Sequence, residues 1–324
     1  MSTPSRGPFR RAGTDCLAVI LAGGLGTRMG SLSLDRPKHL LEIGGEPVIA
    51  HQLRWLAGHG VVDVVLATAH LADRFAPVLG DGSRWGVRLQ YATEPAPLGT
   101  GGGLRFAVAA RGDVPDWIVV VNGDLLTGHD LGRQLALADD RLDAVLHIRT
   151  VDDARPFGCV VADAGGRVTA FLEKSPDPPS HEVNGGTYVL AARVVEAIGP
   201  GVVSLERDVL PALVARGGVT AYREQALWED IGTPEAVVRT SRRLVLASGA
   251  DAHIDPTATI AADAVVADGS AIGPHAVVGP GARVIGSVVM AEAVVGAGAV
   301  VSGAAVPPAA IVPDGAVIEG GPWR

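Results

Sequence analysis

Cysteine is scarce in this sequence, whose 324 residues include only Cys16 and Cys159. The two lie far apart in apolar stretches. Their spacing matches neither a zinc ligand set, nor a redox motif, nor a disulfide framework. A reducing compartment, the cytoplasm, is therefore the predicted setting.

Positive charge is also in deficit, because 27 lysines and arginines face 35 acidic residues and leave a net charge of −8. A chain without a global positive field is not expected to bind nucleic acid or an anionic membrane surface. Any phosphate ligand must instead be held by local groups.

Long smooth hydrophobic runs are missing as well. The longest uncharged run, residues 293–313, reaches transmembrane length, but its glycines and prolines recur in a six-residue rhythm. Residues 1–14 contain three arginines and no acid, and the apolar run after them is typical of a core strand rather than of a signal peptide. We predict a disordered tail at 1–14 and no membrane association.

The length suggests one large and one small domain. Between residues 15 and 248, short runs rich in Val, Ile and Leu alternate with helical patterns. This alternation predicts an α/β fold with a mostly parallel sheet covered by helices. Ligands of such sheets bind beyond the carboxyl ends of the strands, which is where the glycines of residues 21–30 and Asp124 fall.

Residues 249–324 follow a different rule, because aliphatic residues recur there every six positions with a single one-residue slip. The aliphatic positions are Ile254, Ile260, Val266, Ile272, Val278, Val284, Val289, Val295 and Val301. Small or acidic residues follow many of them, as the tight corners of a β-helix require. We predict a C-terminal left-handed parallel β-helix of roughly three coils, with a structural or oligomerising role.

A glycine-rich segment, residues 21–28, follows the first apolar run. Glycine lets backbone N–H groups come close to phosphate oxygens. The segment lacks the third glycine of a dinucleotide-binding fingerprint, and the sequence contains no Walker A motif. Arg28 and, ten residues later, Lys38 supply two cations for a triphosphate, which carries about four negative charges.

Several motifs in a fixed order carry a family resemblance. GGLGTR with a following PK is similar to the signature of the nucleoside-diphosphate-sugar pyrophosphorylases, and the resemblance extends from Leu17 to about Val238. Further matches are EPAPLGTGGG, VVNGD, PFGCVV, FLEKS, VNGGTYVL and WEDIGTPE. PLGTGGG, VNGG and SLERD are most similar to the guanylyltransferases that act on heptose or mannose 1-phosphate. His39 departs from the family pattern, where many relatives have a second proline.

The resemblance implies a Rossmann-like, GT-A-like domain that acts as a sugar-1-phosphate nucleotidylyltransferase and releases pyrophosphate from an NTP. It implies that Asp124 and Asp230 bind Mg²⁺, which prefers oxygen ligands. Arg28 is implied to stabilise charge near the α-phosphorus, Lys38 to neutralise the NTP phosphates and Lys174 to hold the sugar phosphate. No general base is needed, because a phosphate monoester is already anionic near neutral pH.

Binding residues are implied in the same way. The implied nucleotide-binding residues are Leu21, Ala22, Gly23, Gly24, Gly26, Thr27, Glu94, Gly99, Thr100 and Asp124. The implied sugar-phosphate residues are Gly158, Glu173, Lys174 and Asn184. Two of these have an ordinary alternative, since Lys174 could be an exposed strand-end lysine and Asn184 a turn residue before two glycines.

Glu94 bears on the choice of base. An ionised carboxylate only accepts hydrogen bonds, and guanine offers it two adjacent donors, N1–H and the N2 amino group. Uracil and thymine offer one donor between two carbonyls. Glu94 therefore favours GTP, unless it merely shapes the turn at the proline that follows it. A member of the class that uses UTP, ATP or dTTP is the alternative.

Two rival functions come from other classes. A catalytically inactive regulatory or scaffolding subunit predicts the loss of Arg28, Lys38, Asp124 or Asp230, and all four are present. An acyltransferase built on the hexapeptide repeats needs an active-site histidine between coils. We expect a homo-oligomer, and the sequence leaves the sugar open among heptose, mannose, glucose and cyclitol phosphates.

Overall fold

The computed structural model describes residues 16–320, so the tail predicted for residues 1–14 lies outside the described residues. The strands of the first domain are β1 (Leu17–Ala22), β2 (Glu42–Ile43), β3 (Glu46–Pro47), β4 (Asp63–Thr68), β5 (Arg88–Thr93), β6 (Trp117–Asn122), β7 (Leu125–Thr127), β8 (Ala144–Thr150), β9 (Gly158–Ala162), β10 (Val168–Glu173), β11 (Glu182–Ala191), β12 (Val219–Arg223) and β13 (Trp228–Asp230). The α-helices are α1 (Val48–Gly58), α2 (Phe75–Leu79), α3 (Gly99–Arg111), α4 (Leu131–Ala136), α5 (Ala192–Glu196), α6 (Leu210–Ala215) and α7 (Pro234–Ala247).

Most of these strands form one mixed sheet, in the order β10-β9-β11-β6-β1-β4-β5, with β8 beside β11 and β12 beside β8. Strands β6, β1, β4 and β5 run parallel to one another. The aliphatic sequences of β1 and β6 are buried almost throughout, as expected of central strands covered on both faces. The predicted α/β fold is confirmed, and the carboxyl ends of β1 and β6 lie side by side.

Strand β11 runs antiparallel to β6 and continues past it. Its pairing with β8 shifts register between Asn184 and Tyr188, and Val183 also pairs with Cys159 of β9. A register shift of this kind bends a strand and redirects its side chains. The bend lies beside the carboxyl end of β6, where Thr187 pairs with Val121.

The C-terminal residues form a parallel β-helix, which confirms the predicted architecture. Its strands are β14 (Ala252–Ile254), β15 (Thr259–Ile260), β16 (Val265–Ala267), β17 (Ser270–Ile272), β18 (Val277–Val278), β19 (Arg283–Ile285), β20 (Val288–Val289), β21 (Val294–Val295), β22 (Val300–Ser302), β23 (Ala305–Val306), β24 (Ile311–Val312) and β25 (Val317–Glu319). They form three sheets of four parallel strands each within the described residues. The helix therefore has four coils, and the expectation of roughly three was wrong.

The count was wrong because the repeat slips twice. The first corner between coils holds Asp268 and Gly269, whereas Gly286 and Gly303 each make the corresponding later corner alone. Both single glycines have left-handed backbone, with φ of 56° and 60°. After the second slip the six-residue pattern resumes at Val306 and completes the fourth coil.

The α/β part of the chain and the β-helix share a hydrophobic core. The helix α7 packs against the β-helix and against the 3₁₀ helix Thr27–Ser33 that follows the glycine loop. Met29 and Leu32 of that 3₁₀ helix are buried in one cluster with Val288 and Met290 of the β-helix. The β-helix therefore supports the loop that carries Arg28. No helix among residues 16–320 is both long and apolar enough to span a membrane.

Candidate active site

Two adjoining cavities open at the carboxyl ends of β1 and β6. The first has a volume of about 360 Å³ and the second about 510 Å³. Asn122 and Asp124, at the end of β6, line both cavities. The placement agrees with the expectation that ligands of such a sheet bind beyond the carboxyl ends of its strands.

The first cavity gathers most of the residues predicted to bind nucleotide. They are Leu21, Gly23, Gly24, Lys38, Glu94, Gly99, Thr100 and Asp124. Ala22, Gly26 and Thr27 line neither of these two cavities. Ala22 is the buried last residue of β1, and Gly26, with φ of 66°, starts the 3₁₀ helix that begins at Thr27. These three residues shape the loop, and contact between them and a nucleotide stays a prediction.

The second cavity gathers the residues predicted for the sugar phosphate and for the metal. They are Arg28, Asp124, Gly158, Glu173, Lys174, Asn184 and Asp230. These residues come from six separate segments of the chain, and the sequence motifs alone gave no distances between them. The fold brings every one of them to a single cavity.

A short antiparallel pair positions the two aspartates. Strand β13 pairs with β7, which places Asp230 opposite Leu125, the residue after Asp124. The backbone N–H of Ile231 donates a 2.8 Å hydrogen bond to the carbonyl of Asp124. The two predicted metal ligands are therefore held side by side by backbone pairing, without depending on side-chain contacts.

The two aspartates differ in their electrostatics. Burial and then the charge of Asp124 raise the pKa of Asp230. Burial also acts to raise the pKa of Asp124, but the ammonium of Lys38, which pairs with Asp124 Oδ2, holds that pKa below its ordinary value. Two carboxylates so close repel each other, and Asp230 Oδ1 is buried without a hydrogen-bond partner in residues 16–320. A cation between them would offset the repulsion between the two carboxylates and would give Asp230 Oδ1 a partner.

This donor set fits Mg²⁺. Carboxylate oxygens are the ligands that Mg²⁺ prefers, and it commonly uses one or two of them while substrate phosphates and water complete its shell. The described part of the chain has no cluster of three or more candidate metal-ligating side chains. The pair Asp124 and Asp230 therefore suits a metal that is shared with substrate phosphates rather than one caged by the protein.

Cationic side chains surround this pair. The charges of Lys38, Arg28 and Lys174 all act on Asp230 and favour its ionised form. Gly232 leaves room for this arrangement, because a Cβ there would lie 2.9 Å from both Asp230 Oδ1 and Arg28 Nη2. Together the cations can neutralise several phosphate oxygens at the junction of the two cavities.

Lys174 and Glu173 occupy the end of β10. Lys174 has left-handed backbone, with φ of 52°, although it is not glycine, and its N–H donates to the carbonyl of Phe157. Such backbone is uncommon for a lysine and is found where the surroundings impose it, often at functional sites. Burial and then the charge of Glu206 raise the pKa of Glu173. Lys174 lies on the cavity, but it is exposed and pairs with Glu173 at 3.7 Å, so both interpretations of it stay open.

Glu94 is buried in the wall of the first cavity. Its Oε2 accepts a 2.8 Å hydrogen bond from the N–H of Leu98, and its Oε1 lies between Gly23 and Gly103. Burial raises the pKa of Glu94. The carboxylate thus closes the turn that contains two prolines, as the ordinary alternative predicted. It also lines the cavity, so contact with a base stays a prediction.

The glycines of the GTGGG motif have a packing role that the sequence did not reveal. They begin α3, and the segment ending at Val203 lies directly on them. A Cβ at Gly99 would lie 2.6 Å from the carbonyl oxygen of Val203, and one at Gly102 would lie 2.5 Å from that of Gly201. Real Cβ atoms do not come so close to backbone, so only glycine permits this docking.

Other cavity residues were missed at the sequence level. Asn122, in the motif that ends at Asp124, lines both cavities, and Glu206, in the SLERD motif, lines the second. Phe157 and Trp228 form an edge-to-face pair, with ring centroids 5.2 Å apart, in the wall of the second cavity. The motifs that contain these residues were noticed, but no pattern within them singled out the side chains.

The chain is similar in sequence to known proteins of one family. The family model described as nucleotidyl transferase matches residues 17–245. Mannose-1-phosphate guanylyltransferase of Mycobacterium tuberculosis is 39% identical over 284 residues, which cover 83% of this chain and 78% of that protein. Mannose-1-phosphate guanyltransferase of Emericella nidulans is 31% identical over 267 residues, which cover 75% of this chain and 72% of that protein.

A solved structure shares the fold. A protein of Bacillus anthracis, described as a putative glucose-1-phosphate thymidylyltransferase in complex with sucrose, aligns with a TM-score of 0.65 and 24% identity. The alignment covers 71% of this chain and 95% of that one. At this level of identity the likeness supports the architecture alone.

Proposed function

The chain belongs to the nucleotidyl transferase family, and from this premise we propose that it is a sugar-1-phosphate nucleotidylyltransferase that makes GDP-mannose and pyrophosphate from GTP and mannose 1-phosphate with Mg²⁺. The guanine and the mannose rest on the named relatives, two of which act on mannose 1-phosphate by name.

One observation carries this proposal. The cavity with the nucleotide-binding loop and the cavity with Glu173 and Lys174 meet at Asp124, beside Asp230 and Arg28. A nucleotide in the first cavity and a sugar phosphate in the second would place their phosphates at that junction. In-line transfer requires the attacking and leaving oxygens on opposite sides of the phosphorus, and two separate cavities that share Asn122 and Asp124 can hold the two substrates on either side of it.

The residues divide the work of the transfer as follows. A sugar-phosphate oxygen forms a bond to the α-phosphorus, and the bond from that phosphorus to the leaving oxygen breaks, so that pyrophosphate departs with the electron pair. Lys38 binds the NTP phosphates, Lys174 holds the sugar phosphate, and Arg28 stabilises the charge that spreads over the equatorial oxygens. Asp124 and Asp230 would hold the Mg²⁺ ion, which would supply further charge neutralisation at the phosphates.

The convergence of these groups argues against an inactive scaffold. A regulatory subunit has no need to keep two acidic and three cationic side chains at one junction, and burial of like-charged carboxylates has a free-energy cost. The raised pKa of Asp230 is the sign of this cost.

The direct test is a substrate panel, with GTP, ATP, UTP and dTTP each combined with mannose, glucose and heptose 1-phosphates. We expect the highest kcat/KM, measured by pyrophosphate release, for GTP with mannose 1-phosphate. Equal or higher kcat/KM for another sugar would contradict the mannose assignment. The absence of pyrophosphate release with every pair would contradict the reaction class.

Glu94→Gln tests the basis of the guanine preference. If the free Oε1 accepts a hydrogen bond from guanine, the amide should reduce the ratio of kcat/KM for GTP over UTP, by a factor on the order of 10 or more, because a lost base contact leaves polar groups unpaired. The ratio is measured by competition between the two nucleotides.

The turn that Glu94 closes needs a control of its own. In the Glu94→Gln variant the amide oxygen of the new side chain can still accept the N–H of Leu98, so we expect the melting temperature to change little. An unchanged preference for GTP would assign Glu94 to the turn alone and leave the reaction class untouched.

A further inference from the structure

A chain of hydrogen bonds connects the two cavities, and Glu206 is its centre. Glu206 lies in the turn of π-helix Leu205–Val209 and lines the second cavity. Its two carboxylate oxygens accept hydrogen bonds from different elements. Oε2 accepts from Thr100 at the start of α3 and from Ser204, and Oε1 accepts from Tyr188 of β11.

The first arm of this hydrogen-bond chain, on the side of Glu206 Oε2, ends at Thr100. The hydroxyl of Thr100 donates a 2.7 Å hydrogen bond to Glu206 Oε2 and accepts a 2.8 Å hydrogen bond from the N–H of Leu205. Ser204 Oγ also donates to Oε2, at 3.1 Å. Thr100 lines the first cavity, so a ligand that moves the start of α3 must move this arm as well.

The second arm, on the side of Glu206 Oε1, runs through Tyr188 and ends at Asn184. The amide Nδ2 of Asn184 donates to the hydroxyl of Tyr188 at 2.7 Å. An amide NH₂ only donates, so the Tyr188 hydroxyl accepts from Asn184 and must use its proton elsewhere. That proton goes to Glu206 Oε1, at 3.2 Å. The buried Tyr188 therefore has one fixed hydrogen-bonding direction.

The backbone makes this connection stiff. The N–H groups of Gly101 and Gly102 both donate to the carbonyl of Val203, and the N–H of Val203 donates to the carbonyl of Leu98. Val203 precedes Glu206 by three residues, and it rests on the glycines that begin α3. The start of α3 and Glu206 should therefore move as one body.

We propose that Glu206 is a positioning residue that couples nucleotide binding in the first cavity to sugar-phosphate binding in the second, through Thr100 on one side and through Tyr188 and Asn184 on the other. This proposal rests on the proposed function. Nucleotide that orders the start of α3 fixes Glu206, which fixes Tyr188 and so presents Asn184 to the sugar phosphate.

The test is a thermodynamic cycle on the whole chain. The Kd of mannose 1-phosphate is measured by calorimetry with and without the α,β-methylene analogue of GTP, whose α-phosphorus to β-phosphorus link cannot be cleaved. The ratio of the two Kd values is the coupling factor. We expect a factor of about 5 to 150 for the wild type, with the same factor when the order of ligands is reversed.

Glu206→Gln breaks one arm without changing the size of the side chain. Its amide replaces one acceptor oxygen by an NH₂ group, which then faces the donating hydroxyl of either Tyr188 or Thr100. We expect the coupling factor to fall to within about threefold of one. Tyr188→Phe, which removes only the central hydroxyl, should do the same.

Glu224→Gln is the matched control. Glu224 accepts hydrogen bonds from Tyr222 and from the N–H of Asp130, and it lines neither cavity. This variant should keep the wild-type coupling factor. A merely structural role of Glu206 would lower the melting temperature and weaken the binding of both ligands while leaving the coupling factor unchanged.

Two results would overturn the coupling, namely a wild-type factor near one or a wild-type factor retained in both Glu206→Gln and Tyr188→Phe. Either can occur in a protein that forms GDP-mannose normally. Failure of the wild type to form GDP-mannose would instead contradict the proposed function, so the two failures are distinguishable.

Discussion

Asp124→Asn and Asp230→Asn are each expected to lower kcat by a factor on the order of 10² to 10³ at saturating Mg²⁺. An amide keeps the size of the side chain but loses the negative charge, and a metal at phosphate is worth several kcal/mol of transition-state stabilisation. The variants should also bind Mn²⁺ more weakly in calorimetry carried out with the unreactive GTP analogue present. That second readout separates loss of the metal from loss of the fold.

The two variants should differ in stability. Asp230→Asn removes one of two neighbouring carboxylates, and burial together with Asp124 already disfavours its charge, so the melting temperature should hold or rise. Asp124→Asn leaves the ammonium of Lys38 without its partner and should lower the melting temperature. Asp113→Asn, at an exposed position, is the control for charge alone. A variant at either site with more than about a tenth of wild-type kcat, a loss of less than ~1.4 kcal/mol, would not have lost an essential ligand.

The sequence could predict those parts of the site that directly follow the parallel strands. The glycine loop follows β1 and the NGD motif ends β6, and parallel strands bring their carboxyl ends to one edge, so Gly23, Gly24 and Asp124 had to come together. Asp230 follows from the same logic only with the family resemblance, because nothing near it in sequence announces its pairing with β7.

What escaped prediction depends on contacts between distant segments. Glu206 accepts a hydrogen bond from Thr100, which lies 106 residues earlier in the chain. No local sequence pattern distinguishes Glu206 from a surface glutamate. Gly99 was assigned to the nucleotide alone, because the backbone of Val203 that lies on it could not be seen from the sequence. Where two backbone segments pack closely, the only trace in the sequence is a glycine. A glycine can also be required by a turn or by a nearby ligand, so the sequence does not show which requirement applies.

The β-helix shows the same limit. Its aliphatic repeat is a local property and was predictable, whereas its contact with the glycine loop is not. Met29 follows Arg28 in the sequence, and the structure buries it at 1% exposure in the core that the α/β part of the chain shares with the β-helix. Met29, the residue next to Arg28, thus fixes the 3₁₀ helix Thr27–Ser33 against the β-helix. A methionine adapts to such an irregular junction because its side chain is unbranched and flexible.

Arg28→Ala is expected to lower kcat by a factor on the order of 10³ while changing KM for GTP and for the sugar phosphate little. Arg28 lies in the second cavity, close enough to Asp230 to favour that group's ionised form, at the junction where the α-phosphorus should lie. A positioned arginine that acts on charge developing in the transition state affects kcat, and comparable arginines in phosphoryl transfer are worth roughly 10³ to 10⁵. Steady-state kinetics with both substrates varied measures the two parameters.

The anchoring of Met29 makes this outcome interpretable. Because Met29 and Leu32 hold the 3₁₀ helix in the shared core, removing the Arg28 side chain should leave the backbone of the loop in place, and the melting temperature should stay near that of the wild type. Arg105→Ala, an exposed arginine on α3 that lines neither cavity, should leave both kinetic parameters unchanged. A rise in KM with kcat preserved in Arg28→Ala would mean that Arg28 binds substrate and transition state equally, and its proposed action on the developing charge would then be wrong.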